Sequence, residues 1–139
     1  MTQEDKTLLL KDLCARLPYR TKVRRYRYTT PIDSIQSVEL LGLGWLEELY
    51  GEEAEFKPYL FPLSSLTEEQ RNDISKLLIE TQNEFSPYGK LNMKGCDNLF
   101  ICSVKQSNAL INYCLTNHLD INGLIKKGLA IDATGLNIY

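Results

Sequence analysis

The chain has 139 residues, of which 43% are hydrophobic and 24% charged, with a formal net charge of −2. That balance fits one globular domain over 1–139 with a single core, and excludes a fibrous or compositionally disordered chain. The apolar run Leu8-Leu9-Leu10, between Lys6 and Lys11, is too short for a leader core or a membrane span, so a cytoplasmic location is expected.

Thr2 reads as the N-cap of a first helix, with Glu4 and Asp5 in its opening turn. Leu9, Leu13, Arg16 and Leu17 recur at helical spacing, and Pro18 ends the helix. Thr21 to Thr30 is β-branched, aromatic and basic, which predicts a strand. Lys22, Arg24, Tyr26 and Tyr28 would share one face, and Val23, Arg25, Arg27 and Thr29 the other. Neither face is purely apolar. The expectation is therefore an exposed or edge strand, or one whose arginine stems lie over neighbouring side chains.

A second strand is predicted from Ile32 to Leu41, closed by Gly42 and Gly44. Trp45 to Tyr50 fits a helical turn or a strand equally well at that length. Glu53 to Tyr59 reads as a further strand, and together these segments predict an antiparallel meander of three or four strands. Lys57-Pro58-Tyr59-Leu60-Phe61-Pro62-Leu63 must be extended. Thr67-Glu68-Glu69-Gln70 is a capping box for a second long helix that fades near Asn83. Glu84 to Asn98 is the longest predicted loop and the expected mobile element. Leu99 to Cys102 would be a short buried strand. Ser103 to Gln106 would cap a third long helix, running from Val104 to about Asn117.

From Asn117 to Asp132 the pattern is a helix end, a turn, one more helical turn and a stop, a docking device for the C-terminal segment. The fold class is thus α+β: an N-terminal helix, the meander, and two C-terminal helices packed on one sheet face. Leu9, Leu13, Leu17, Leu60, Phe61, Leu77, Leu78, Leu110, Cys114, Leu124 and Leu129 are the expected core.

Charge is distributed unevenly. Arg20, Lys22, Arg24, Arg25 and Arg27 put five cations into eight residues, whereas seven acids oppose one lysine between Asp33 and Lys57. Arg24, Arg25 and Arg27 with Tyr26 and Tyr28 form the candidate binding set. Arginines on phosphates and tyrosines under bases would suit single-stranded nucleic acid. The acidic segment is equally placed to neutralise the strand, each cross-strand pair contributing ~0.2–1 kcal/mol. Recognition of another protein, or self-association, needs no positive field, and Tyr and Arg are enriched at binding hot spots.

Cys96, Cys102, Cys114 and His118 are the weak candidates for a metal site, since Cys114 and His118 lie one helical turn apart. Their spacing is loose, and buried structural cysteines with a histidine at a helix end account for it as well. No nucleophile elbow, zinc-protease pair, phosphate-binding loop or complete dinucleotide fingerprint occurs. The sequence therefore predicts a small non-enzymatic accessory protein, with no cofactor, acting on an unidentified protein partner or on itself through the strand around Arg24 to Tyr28 or the Ser86–Asn98 loop; single-stranded nucleic-acid binding is the alternative.

Three blocks carry a resemblance. Met1-Thr2-Gln3-Glu4-Asp5-Lys6 with Leu8 to Tyr19, Lys57-Pro58-Tyr59-Leu60 with Pro62, Ser64, Ser65 and Thr67-Glu68-Glu69, and Gly123-Leu124-Ile125 with Gly128-Leu129-Ala130 resemble a set of small uncharacterised proteins of gut anaerobes. That set is often encoded in phages and other mobile elements. The resemblance implies a shared scaffold and a mobile-element context, with no activity, cofactor or catalytic residue attached.

Overall fold

The computed structural model describes residues 1–42, 44–82 and 104–139. Helix α1 (Gln3–Ala15) is capped by Thr2, whose hydroxyl accepts from the Asp5 amide. Strands β1 (Lys22–Arg27), β2 (Ile32–Ser37) and β3 (Ala54–Leu60) follow, with a short helix α2 (Trp45–Tyr50) between β2 and β3. Helices α3 (Glu68–Gln82) and α4 (Val104–Thr116) and a two-residue strand β4 (Ile131–Asp132) complete the α+β architecture. Among the described residues, no helix is long and apolar enough to cross a membrane.

The sheet order is β2-β1-β3-β4. Strand β1 is antiparallel to both β2 and β3, and β4 is parallel to β3. This corrects two sequence expectations. Of the alternatives expected for β1, the edge position is not the one taken, since β1 lies between two neighbours, and the three antiparallel strands do not form a simple meander. Because β2 and β3 run parallel to one another on either side of β1, the chain between them must cross over. Residues 38–53, including α2, are that crossover, which explains why Trp45–Tyr50 is helical. The second predicted strand stops at Ser37, where the chain enters a 3-10 turn at Val38–Leu40.

One sheet face carries Val23, Ala54, Phe56 and Leu60, and these join Leu9 and Leu13 of α1 and Trp45 and Leu49 of α2 in the main core. Leu124, Leu129 and Ala130 extend it. Helices α3 and α4 do not supply this cluster. Ile74, Leu110, Cys114, Leu66 and Leu119 instead form a second one, against which Phe61 and Tyr113 pack. The helices thus gather beyond the end of β3 rather than on the sheet face itself. The capping box is formed as read: Gln70 N–H donates to the Thr67 hydroxyl and Thr67 N–H to the Gln70 side chain. Leu17 is 39% exposed, not core. The α-helix ends at Ala15, and a 3-10 turn at Leu17–Tyr19 rotates Leu17 outward. Leu77 is only half-buried; Leu78, the Glu84–Asn98 loop and the Leu99–Cys102 strand lie outside the residues, or the side chains, described.

The C-terminal segment docks through two helix-stop motifs. After α4, Leu119 N–H bonds Cys114 O and His118 N–H bonds Leu115 O, with His118 in the left-handed region at φ 57°. The same paired closure recurs where Leu129 N–H bonds Leu124 O and Gly128 N–H bonds Ile125 O. Gly128, at φ 74°, takes the left-handed position without a Cβ penalty. Asp120 caps the intervening turn by accepting from Leu124 and Ile125 amides.

Arg16 fastens this segment to α1. Its side chain is wholly buried, and its Nε donates to Asp12 Oδ2 at 2.6 Å. Arg16 Nη2 donates to the Leu119 carbonyl at 2.8 Å, and Asn122 Nδ2 donates to Asp12 Oδ1 at 2.8 Å. A buried ion pair stabilises little against apolar replacements but costs heavily when one partner is lost. Arg16→Leu is therefore expected to lower stability by about 3–5 kcal/mol in urea unfolding. Asp12→Leu/Arg16→Leu is expected to cost less than the single change, because no orphan carboxylate remains.

Candidate functional site

Pairing across β1 defines two surfaces. Val23, Arg25 and Arg27 stand opposite Pro58, Phe56 and Ala54 on the core side. Lys22, Arg24 and Tyr26 stand opposite Ser37, Ile35 and Asp33 on the other side, where Glu55 and Lys57 flank them from β3. The five candidate residues are therefore divided between two faces, with Arg24, Tyr26 and Tyr28 together and Arg25 and Arg27 apart from them.

On the core side the arginines are consumed within the molecule. Arg25 Nε donates to Glu48 Oε2 at 2.9 Å, its Nη2 to the other carboxylate oxygen, and its Nη1 to the Leu41 carbonyl. Its guanidinium carbon lies 5.6 Å from the Phe56 ring centre, so the arginine covers the aromatic as the sequence suggested. Arg27 reaches the same Glu48 carboxylate at 2.9 Å. Burial pushes the Glu48 carboxyl up, but the two arginines outweigh it and hold its pKa below the usual glutamate value. Glu48 can sit under both because α2 crosses this face. Gly51 lets α2 end tightly, since a Cβ there would meet the Glu47 carbonyl at 2.9 Å.

On the other side, Arg24 makes a two-pronged pair with Asp33, Nε to Oδ1 at 2.9 Å and Nη2 to Oδ2 at 2.8 Å. The Tyr26 and Tyr28 rings meet edge to face with centres 5.6 Å apart. Tyr28 is 54% exposed and Ile35, beside Arg24, 53%. Partial burial, then Glu55, raises the Tyr28 phenol above its ordinary value. Lys57 pairs with Glu55 at 3.3 Å. This face is thus a charge-balanced, tyrosine-bearing surface rather than a row of free cations. A polar depression of about 260 Å³ lies on the other side of the strand, where Arg27 and Glu48 line it with Thr29, Thr30 and Glu53.

Among the described residues, β2 is an outer strand of the sheet. Val38 N–H bonds Thr21 O, which makes that pair hydrogen-bonded. Because bonded and non-bonded pairs alternate along an antiparallel ladder, Asp33, Ile35 and Ser37 direct their backbone groups away from β1. This edge is not legible in the sequence because it is set by strand order, which local alternation does not encode. Tyr139 was also missed. Its hydroxyl accepts from Lys22 N–H at 2.8 Å and donates to Tyr59 O at 2.7 Å, closing the β1–β3 ladder where the strands part.

Of the metal candidates, Cys96 and Cys102 lie outside the described residues. Cys114 is buried in the second cluster. The His118 ring stacks on Tyr139 at 3.8 Å and its Nδ1 lies 3.2 Å from the Thr21 hydroxyl. Among the described residues, no group of three or more His, Cys, Asp or Glu side chains could hold a metal ion. Comparison with protein-family models, curated proteins and solved structures finds no match.

Burial first, and then the nearby Arg16 charge, lower the His118 pKa to about 4. A base whose folded pKa lies below its unfolded value of 6.5 costs stability as pH falls from there towards the folded value. Since the chain has one histidine, its ring-proton NMR signal should titrate near 4. A midpoint near 6.5 would mean that the stack with Tyr139 is not formed in solution.

Proposed function

We propose that this protein is a non-enzymatic interaction module that recognises another polypeptide through the Arg24–Tyr26–Tyr28 face and the adjoining β2 edge. The supporting observation is the contrast between the two sides of β1. Arg25 is mostly buried against Glu48 and Arg27 shares that carboxylate while staying partly exposed, whereas Tyr28 and Ile35 are half exposed beside an Arg24–Asp33 pair. Tyrosine, arginine and an aliphatic side chain next to outward-facing strand groups suit recognition by strand addition. The phantom of a basic strand in the sequence is the weaker support for nucleic acid, because a phosphate would have to displace Asp33 from Arg24 and Glu48 from Arg25. A small accessory role also fits the mobile-element context that the sequence resemblance implies.

The test is capture from the native host on immobilised protein, comparing wild type with Arg24→Ala/Tyr26→Ala/Tyr28→Ala. Wild type should retain a specific polypeptide and the triple variant should lose it; identical retention by both, or none by either, overturns the proposal. A single-stranded oligonucleotide should not be held even at low salt. Retention that falls steeply as salt rises would favour the nucleic-acid alternative.

A further inference from the structure

We infer that the β2 edge pairs with the β2 edge of a second copy of this chain, antiparallel, about a two-fold axis through Ile35. The inference rests on the interaction reading above and names its occupant. Residues directly opposite in an antiparallel pair share a sheet face, and only residues with outward backbone groups can form the bonded pairs. On β2 those residues are Asp33, Ile35 and Ser37.

These constraints leave few registers. With the axis at Ser34, Ile35 of one copy faces Asp33 of the other, an apolar side chain against a carboxylate. With the axis at Gln36, Asp33 has no outward-bonded counterpart. Centring on Ile35 brings Ile35 against its own copy and turns Asp33 toward Ser37, which is only 7% exposed in the single chain and so leaves Ile35 and Asp33 as the accessible part of the edge. Isologous pairing of this kind closes on itself and leaves no propagating edge at the junction.

Side-chain chemistry favours the same register. Ser37 Oγ accepts from Lys22 Nζ at 3.2 Å, so the Asp33 carboxylate of the second copy would arrive beside a hydroxyl and an ammonium group. Arg24 stays bound to its own Asp33, and its stem would flank the Ile35 pair. On the opposite face Ser34 would meet Gln36, a polar pair. The two copies are therefore complementary in backbone hydrogen bonding, with each Asp33 already balanced by its own Arg24. The half-exposed Ile35 becomes the centre of the contact.

Two measurements test this on the full chain. In sedimentation, wild type should show a dimer that grows with concentration up to about 1 mM. Ile35→Lys should remain monomeric with an unchanged circular dichroism spectrum, and Leu40→Lys, altered at a residue 68% exposed outside the strand, should behave as wild type. In mild oxidation, Ile35→Cys should form a covalent dimer well above the wild-type thiol background. Ile32→Cys should not, because its copies would lie roughly 20 Å apart along the strands, beyond disulfide reach.

A wild type that stays monomeric throughout, a dimer indifferent to Ile35→Lys, or equal cross-linking at the two cysteine positions would overturn the pairing. A monomeric wild type that still captures a different host polypeptide, and loses it in the Arg24/Tyr26/Tyr28 variant, overturns the pairing while leaving the interaction reading intact.

Discussion

The grip of Glu48 on Arg25 and Arg27 decides what the rest of the molecule can present. It requires α2 to lie across the core side of the sheet, and so it goes with the crossover that places β3 on the far side of β1. It lets two arginine stems cover the apolar face instead of interrupting it, one of them over Phe56. Pairing both guanidinium groups with Glu48 leaves the opposite face to Arg24, the tyrosines and the β2 edge, although Arg27 Nε itself has no hydrogen-bond partner. Charge on β1 is thus a packing feature first, and whatever recognition the face performs must work with its remaining groups.

The second anchoring point is structural rather than functional. Arg16 joins the end of α1 to the loop after α4 through Asp12, Leu119 and Asn122, and Tyr139 fills the gap between Lys22 and Tyr59. The C-terminal segment therefore completes both the core and the sheet. Its two helix stops carry a histidine and a glycine in left-handed geometry. The glycine fits that geometry without strain, whereas the histidine is held there by its stack on Tyr139 and its contact with Thr21.

Local signals in the chain were readable and long-range ones were not. Thr2 and the Thr67–Gln70 box mark helix starts because capping involves residues three apart. Alternation along Lys22 to Tyr28 correctly divides the strand into two faces. It says nothing about which strand lies on either side, so mixed polarity in β1 suggests an edge when the strand is interior. The opposing acids were legible as neutralising charge, yet Glu48 was indistinguishable from Glu47 until α2 turned one of them inward. Helical spacing placed Arg16 on the face of Leu9 and Leu13, but not its partners, which lie more than a hundred residues away or one helical turn back. The parallel pairing of β4 is too short to leave any pattern, and the edge role of Ile35 depends on strand order alone.

The internal neutralisation of β1 is most directly tested at the Glu48 carboxyl carbon, followed by NMR as the intact folded chain is acidified. Held between Arg25 and Arg27, it should reach half-protonation below the ordinary glutamate value of 4.5, despite burial that acts in the opposite direction. A midpoint at or above 4.5 would mean that the arginines are not committed to it, and that the cationic strand is available to an outside partner after all.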